Sequence, residues 1–501
     1  MQRRAAYDVV VLGGGPAGCV IASRLSEDPS TSVCLIEAGP DHGAYEEGRW
    51  PDDLLYANEL ATSHDWGVAG GWSSWRAKVI GGCSAHNGCF IAWGPPADFD
   101  RWEDAGNDGW SAATLEPYRR RALTELRVRP SRIDDLEPFM RAGLEAAVEI
   151  GLPLLSDFDD TEILDGAAPI LVNAVGDVRW NAAFAYLDPA RERGNLTIIA
   201  DALVDRLRLA GDQATGAFIR VDGEEVEIVA DAFVLTAGAY GSPAILLRSG
   251  VGPANDLRGM GIVVNRDLPG VGRNLVDHPR TDVAFRPTDD LLVQTADHIA
   301  RRPGRAQTLI KARSDRCLPD AWDLHVVMRV RPTFSDGATP DPEGPVAHLY
   351  VHVLDPVARG RVRIASSDPS ALPVVEHGFL TDVEGHDRAS MIDGVGLARG
   401  LAGTRALAGL VREELVPGPL GETELTAHLT GTVGGYWHPV GTCKMGRAGD
   451  PLAVVDARGL LRGYDNVWIA DASIFPSIPR ANTLLPVIAV AERMAELLAE
   501  R

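Results

Sequence analysis

The sequence predicts an α/β fold that opens with a Rossmann-like nucleotide-binding unit and continues into further domains. Three observations carry this. The stretch "YDVVVLGGGPAGCVIASRLSEDPSTSVCLIEAG", residues 7–39, reads as strand, glycine turn, helix, strand. A run of alternating strands, residues 196–238, ends at another glycine turn. The chain has 501 residues, too many for one hydrophobic core, since cores stop growing at roughly 250–300 residues.

In the first unit, Val9, Val10, Val11 and Leu12 form the continuous apolar run of a parallel strand buried on both faces. Gly13, Gly15 and Gly18 follow in a GxGxxG pattern. The first glycine allows the tight turn, the second lets a pyrophosphate reach the backbone, and the third lets the helix pack on the strand. The helix N-terminus then offers free N–H groups to the phosphate. The next strand, Ser32 to Ile36, leads into Glu37, 19 residues after Gly18, where a carboxylate can accept hydrogen bonds from a ribose. The unit as a whole predicts an ADP-containing dinucleotide. It leaves NAD and FAD both open.

The bulk numbers exclude several classes. With 45% hydrophobic and 24% charged residues, the composition is that of an ordinary soluble globular protein. The formal charge is −22, which argues against a nucleic acid or an anionic membrane as partner, because those need a basic face. The charge reads as solubility, or more sharply as attraction of a cationic substrate. The start "MQRRAAYDVVVLGGG" runs straight into a glycine turn, so it reads as a first strand and not a signal peptide. No run of 18 apolar residues predicts a membrane span. Cysteines at 19, 34, 83, 89, 317 and 443 lack CxxC spacing and fit a reduced, cytoplasmic protein. Cys83 and Cys89 have no second pair beside them, so no metal site is expected.

Further along, "RAKVIGGCSAHNGCFIAWG", residues 76–94, is a second glycine-punctuated loop. Its small residues after Gly81 and Gly82 would let backbone lie against a flat ring. The plainer reading is a turn before a buried strand. "DFDRWEDAGNDGW" reads as a helix closed by a turn. "LTIIADALVDRLRLAG" and "ATGAFIRVDGEEVEIVADAFVLTAG" alternate as strands. Gly241 to Ser249 reads as a helix started by Ser242 and Pro243. In residues 280–430, "VAHLYVHVLDPVARGRVRIAS" has the look of a long hairpin and "MIDGVGLARGLAGTRAL" a helical period. "TPDPEGP" and "DRCLPDAW" read as loops. The tail gives a strand and turn in "DNVWIADASIFP", then a helix in "NTLLPVIAVAERMAELLAER".

Six stretches together carry a resemblance. They are "DVVVLGGGPAGCVIASRLSEDPSTSVCLIEAG", "AKVIGGCSAHNG", "TAGAYGSPAILLRSGVGP", "LPGVGRNLVDHP", "YWHPVGTCKMG" and "VWIADASIFPSIPRANTLLPVIAVAERMAELL". In this order the chain resembles the glucose–methanol–choline (GMC) oxidoreductases, FAD-dependent alcohol oxidases and dehydrogenases. The resemblance implies a Rossmann-like FAD-binding domain that is discontinuous, and an α+β substrate-binding domain on an antiparallel sheet. It divides the chain into FAD-binding segments 1–150, 196–280 and 431–501, and substrate-domain segments 151–195 and 281–430. It implies oxidation of a small alcohol to an aldehyde or ketone, with O2 or another acceptor reoxidising the flavin. Two alternatives stand beside this. One is an FAD-containing hydroxynitrile-lyase-like enzyme without redox turnover, and the other a choline oxidase or dehydrogenase proper.

Roles follow from the resemblance position by position. His438, in "YWHPVG", matches the family's active-site histidine. Imidazole is the usual base near neutral pH, although a histidine beside aromatics is by itself more often a satisfied core residue. Asn482 matches the second site residue and could bind an alkoxide-like oxygen. Its rival role is to cap the last helix. Gly82 and Asn87 would lie near the flavin. The "GGCSAHN" stretch is nearest to that of the choline oxidases, whose matching histidine bonds covalently to the flavin, so His86 is the candidate for such a bond. Gly88 departs from their pattern, which has serine. Val204 would meet adenine through its backbone. Asp471 and Ala472 would lie at the pyrophosphate or ribityl chain. Tyr436 and Trp437 suggest one flat wall for the substrate. "RAQTLIKARSDRC" carries Arg305, Lys311, Arg313 and Arg316 against one acid, Asp315, which speaks against a choline pocket. Which alcohol reacts, and the oligomeric state, stay open.

Overall fold

A computed structural model describes residues 6–59, 61, 63–69, 72, 73, 75–160, 162–301, 303–331 and 344–500. The loop expected at "TPDPEGP" lies outside the described residues as far as position 343.

The apolar run at the head becomes the centre of a parallel sheet. Tyr7–Leu12 pairs with Val33–Ile36 on one side and Ala230–Leu235 on the other. Leu196–Ile199 and Val467–Ile469 close the two edges, also parallel. The last of these strands comes from the tail, so head and tail share one sheet. The helices Pro16–Leu25 and Leu484–Ala499 seal this union. Glu492 of the tail helix has a fully buried side chain and accepts from Arg24 at 2.8 Å, Arg121 at 3.1 Å and Tyr186 at 3.0 Å. Beside the sheet, Ala202–Ala210, Gln213–Val221 and Glu224–Ile228 form the expected antiparallel run.

A second sheet is antiparallel throughout. Its strand order is Val411–Val416, Pro279–Pro287, Val346–Val353, Leu324–Arg331, Thr308–Ala312, Gly166–Pro169. The two-residue period of a strand divides its faces. On Leu324–Arg331, Leu324, Val326, Met328 and Val330 enter a core with the helices Pro138–Glu149 and His386–Ala402. Val327, Arg329 and Arg331 point to the opposite side, into the cavity described below.

Three expectations need correcting. "VAHLYVHVLDPVARGRVRIAS" is not a hairpin. Val346–Val353 has both edges taken by Pro279–Pro287 and Leu324–Arg331, so Arg361–Arg363 pairs elsewhere, with Val374–Glu376. Alternation identified the strands but could not identify partners. The helix expected from Gly241 begins three residues earlier, as Gly238–Arg248, with Pro243 inside it. Proline cannot donate to the carbonyl four residues back. Here the Thr442 hydroxyl donates to that carbonyl, Ala239 O, at 2.6 Å. Finally, a boundary at residue 150 puts Pro138–Glu149 in the wrong body, since Phe139, Met140 and Leu144 pack in the second core. Conversely Trp180, Phe184 and Tyr186, within 151–195, pack in the first. Among the described residues no helix is long and apolar enough to cross a membrane.

Candidate active site

The two glycine loops, the tail and one face of the antiparallel sheet enclose a cavity of about 470 Å³. Gly13, Gly15, Glu37, Gly82, His86, Asn87, Val204, His438, Asp471, Ala472 and Asn482 all line it. Of the predicted site residues, Gly18 alone is off its wall. A Cβ at Gly18 would stand 1.9 Å from Gly13 O, so this glycine serves the close packing of helix on turn. Gly82 has φ +51°, and a Cβ there would come within 2.7 Å of Gly15 Cα. The second loop therefore rests directly on the first, backbone to backbone.

The head of the cavity suits a dinucleotide. Helix Pro16–Leu25 has Gly15 at its N-cap and no side chain capping it, so its first N–H groups are left for an anion at the wall. A Cβ at Gly15 would meet nothing closer than 3.8 Å, which leaves room for such an anion against the backbone. Glu37 accepts from Gly14 N at 2.8 Å and Gly39 N at 2.9 Å, and burial pushes its carboxyl up to about 7. The carbonyl of Val204 accepts from Arg248 at 3.3 Å. Asp471 accepts from Gly238 N at 2.8 Å and Ser473 N at 2.8 Å, and so ties the tail's turn to the start of the helix Gly238–Arg248. His86 is neutral, because burial pushes its imidazole down to about 3. Its ring makes no hydrogen bond among the described residues.

His438 is held where the tail crosses the start of a sheet strand. Tyr436 N donates to His278 O at 2.9 Å, and Val440 and Val276 exchange backbone bonds at 2.9 and 3.1 Å. Within this clamp, His438 N donates to Asp277 Oδ1 at 2.8 Å. The His438 ring has Nδ1 at 3.0 Å from His278 Nδ1 and Nε2 at 3.3 Å from Asn482 Nδ2. With the Asn482 amide donating to Nε2, the ring's own proton lies on Nδ1 and is donated to His278. Nε2 then carries no proton, and its one lone pair accepts from the Asn482 amide at the cavity wall. Burial holds the ring well below the ordinary histidine range, reinforced by His278 and His352. Asn482 does not cap the last helix: the N-cap is Thr483, and no side chain caps it. Asn482 Oδ1 and the Tyr436 hydroxyl are buried; among the described residues neither meets a hydrogen-bond partner of good geometry, and the two side chains lie beside each other. Tyr436 stacks on His352 with ring centroids 3.6 Å apart.

Sequence reasoning missed several neighbours. Asp277 and His278 lie inside "LPGVGRNLVDHP", yet only the strand pairing shows that they orient His438. Arg280, Arg329 and Arg331 on the cavity wall carry no local signal beyond charge at alternate positions. Lys311 lies elsewhere: its ammonium donates to Phe158 O and Asp160 O, each at 2.7 Å.

The histidines and carboxyls pull the pH dependence of stability in opposite directions. His42, His86, His278, His298, His325, His348, His352, His377, His428 and His438, ten in all, are pushed below the ordinary histidine range, each by burial first. Unfolding lets each take up a proton below pH ~6.5, so their contribution is lost as pH falls. Nine carboxyls, raised by burial first, act in the opposite sense. Burial raises Glu37, Glu137 and Asp277 to about 7 and Asp98 to about 6. These stabilise the fold as pH drops toward ~4. Ten histidines stand against nine carboxyls, so the net loss of stability as pH falls from ~6 to ~5 is small. The thermal midpoint at fixed FAD and salt is expected to be only slightly lower at pH 5 than at pH 7. A much lower midpoint at pH 5, or a higher one, contradicts this.

Comparison with known proteins agrees with this architecture. Two GMC oxidoreductase family models match residues 7–280 and 356–491. The chain is 31% identical to choline oxidase of Arthrobacter globiformis, covering 98% of this chain and 94% of that protein. It is 33% identical to 5-(hydroxymethyl)furfural oxidase of Methylovorus sp. (strain MP688), covering 98% of each. Among solved structures, pyridoxine 4-oxidase from Mesorbium loti superposes with a TM-score of 0.84 at 29% identity, covering 99% of both chains. With the shared sheet of head and tail and the cavity between them, these matches settle the family. The chain belongs to the GMC oxidoreductases and is an FAD-dependent enzyme of alcohol oxidation.

Proposed function

We propose that His438 and Asn482 carry the oxidation of a small alcohol to an aldehyde or ketone, with O2 or another acceptor taking the electrons afterwards. The observation that supports this most is the pair itself. His438 Nε2 and Asn482 Nδ2 lie 3.3 Å apart, on the wall of the same cavity that Gly15 and Glu37 line. Bound FAD supplies the hydride acceptor. The protein's part is to place the alcohol and manage its proton. The alcohol hydroxyl takes the place of the Asn482 amide at His438 Nε2, which accepts its proton, and the freed amide donates to the oxygen as negative charge develops on it. His278 and Asp277 fix the ring's orientation and tautomer. Tyr436 and Trp437 supply the wall that excludes water.

In this reading Gly13, Gly15 and Gly18 form the pyrophosphate turn and Glu37 holds the ribose. Val204 meets the adenine, and Gly82, Asn87, Asp471 and Ala472 border the rest of the cofactor. His86, neutral and without a hydrogen-bond partner among the described residues, is the group for a covalent bond to the flavin ring. The FAD-binding body then comprises the described residues within 6–135, 180–280 and 431–500, and the substrate body the other described residues. Six free cysteines favour the cytoplasm.

Anaerobic addition of alcohols to the purified yellow protein tests the function. Loss of the flavin absorbance, restored by air or an artificial acceptor, is expected. A colourless protein, or a flavin that no alcohol in a broad panel reduces, contradicts it. Acid precipitation of the same sample reads the covalent bond: a yellow pellet is expected, and a yellow supernatant removes His86 from that role.

A further inference from the structure

The substrate side of the cavity is lined by arginines. Arg329 and Arg331 project from alternate positions of Leu324–Arg331, and Arg280 from the neighbouring part of the sheet. The Arg280 guanidinium lies 4.7 Å from the Trp437 ring and 5.1 Å from the Tyr350 ring. Arg331 lies 5.7 Å from the same Tyr350 ring. Arg305 enters from the flavin-loop side, donating to Gly88 O at 3.0 Å and Asn58 Oδ1 at 3.3 Å.

Three of these cations are short of counter-charge. Among the described residues, Arg305, Arg329 and Arg331 have no ion-pair partner. Two carboxylates face the group from outside the cavity wall. Glu137 accepts from Val330 N at 3.2 Å, and Asp282 lies 4.0 Å from His348 Nδ1. Burial pushes the Arg305 guanidinium down to about 9 and lowers Arg329 as well. A buried charge left unpaired is strongly destabilising, so the protein tolerates a cost here that a ligand would relieve. The pocket also has the opposite sign to the molecule, whose net charge is −22, so general surface charge does not explain it. Gly88, where choline oxidases carry serine, leaves Arg305 Nη2 3.6 Å from the position a Cβ would take.

We propose that the alcohol oxidised here carries an anionic oxyacid group, a carboxylate in the first instance, seated against Arg329 and Arg331 while its hydroxyl meets His438. The guanidinium fork binds a carboxylate or phosphate through paired hydrogen bonds. It repels a quaternary ammonium, so choline is excluded as the preferred substrate. The substrate class rests on the proposed alcohol oxidation, but the anion site can be read without turnover.

The test uses the FAD-loaded enzyme and para-substituted benzyl alcohols of matched shape. 4-(Hydroxymethyl)benzoate is expected to exceed 4-methylbenzyl alcohol in kcat/KM by at least about tenfold, with the trimethylammonium analogue slowest. 4-(Hydroxymethyl)phenyl phosphate outrunning the carboxylate assigns the site to phosphate. Arg329→Gln with Arg331→Gln is expected to reduce the anion-over-neutral preference about tenfold, and Arg329→Lys to reduce it partly. In parallel, 4-methylbenzoate and 4-methylbenzamide are titrated against the flavin spectrum. Tighter binding of the benzoate, weakened in the arginine variants, supports the anion site even if no alcohol bleaches the flavin, an outcome that would sink only the oxidation. Equal binding of benzoate and benzamide, or a preference for the ammonium alcohol, overturns the proposal whatever the variants do.

Discussion

Replacing His438 by alanine slows reduction of the bound flavin by roughly 10²–10⁴-fold, the range for removing a positioned acid–base group. The expectation rests on how the ring is held. Its backbone N–H is tied to Asp277, its Nδ1 faces His278 at 3.0 Å, and its Nε2 faces Asn482 at 3.3 Å. Such a ring is already neutral and already aimed, so no proton must leave it before it can accept one. The measurement is anaerobic stopped-flow reduction followed at the flavin absorbance with saturating alcohol. Flavin content is checked beforehand, so that lost loading is not read as lost chemistry. Unaltered reduction kinetics would take His438 out of the mechanism.

The second large effect is on stability. Arg480 is buried to 1% exposure and pairs at 3.1 Å with Asp98, whose side chain is fully buried. Asp98 also accepts from Arg480 N at 2.6 Å and binds Arg101 at 2.6 Å. Asp355 is the other partner of Arg480. Asp98→Ala removes one carboxylate and leaves a guanidinium buried beside it, a loss of about 3–5 kcal/mol. Because Arg480 lies two residues before Asn482, the same change loosens the segment that presents Asn482 to His438. Urea unfolding at fixed FAD concentration should show a clearly lower midpoint, with Asp98→Asn milder because its amide oxygen can still accept from Arg480 N. An unchanged midpoint for Asp98→Ala means that the pair adds no stability.

What the sequence made legible was local. The turn through Gly13, Gly15 and Gly18 declares itself because backbone geometry dictates residue type within a few positions. Glu37 follows because the strand before it must end at that turn. His438 and Asn482 are 44 residues apart, and nothing in their spacing brings them together. Only the resemblance nominated them, and only the shared sheet of head and tail explains their meeting. The arginines were illegible for a different reason. Alternation on Leu324–Arg331 shows that two faces exist, but not that one looks into a cavity. The false hairpin at residues 346–366 has the same root. A strand's edges are filled by whichever segments reach them first in space, and sequence adjacency is a weak guide when both edges are already paired. The misplaced boundary at residue 150 arose because the amphipathic helix Pro138–Glu149 shows an apolar face without showing which core receives it.

The most direct test of the central claim is a crystal structure of the FAD-loaded protein. The account predicts the flavin ring between the loop at residues 82–87 and His438, with Nε2 and Asn482 bordering a space in which a hydroxyl can reach both. A ring seated elsewhere, or one whose reactive edge lies farther from His438 than a substrate and one intervening water can bridge, contradicts it.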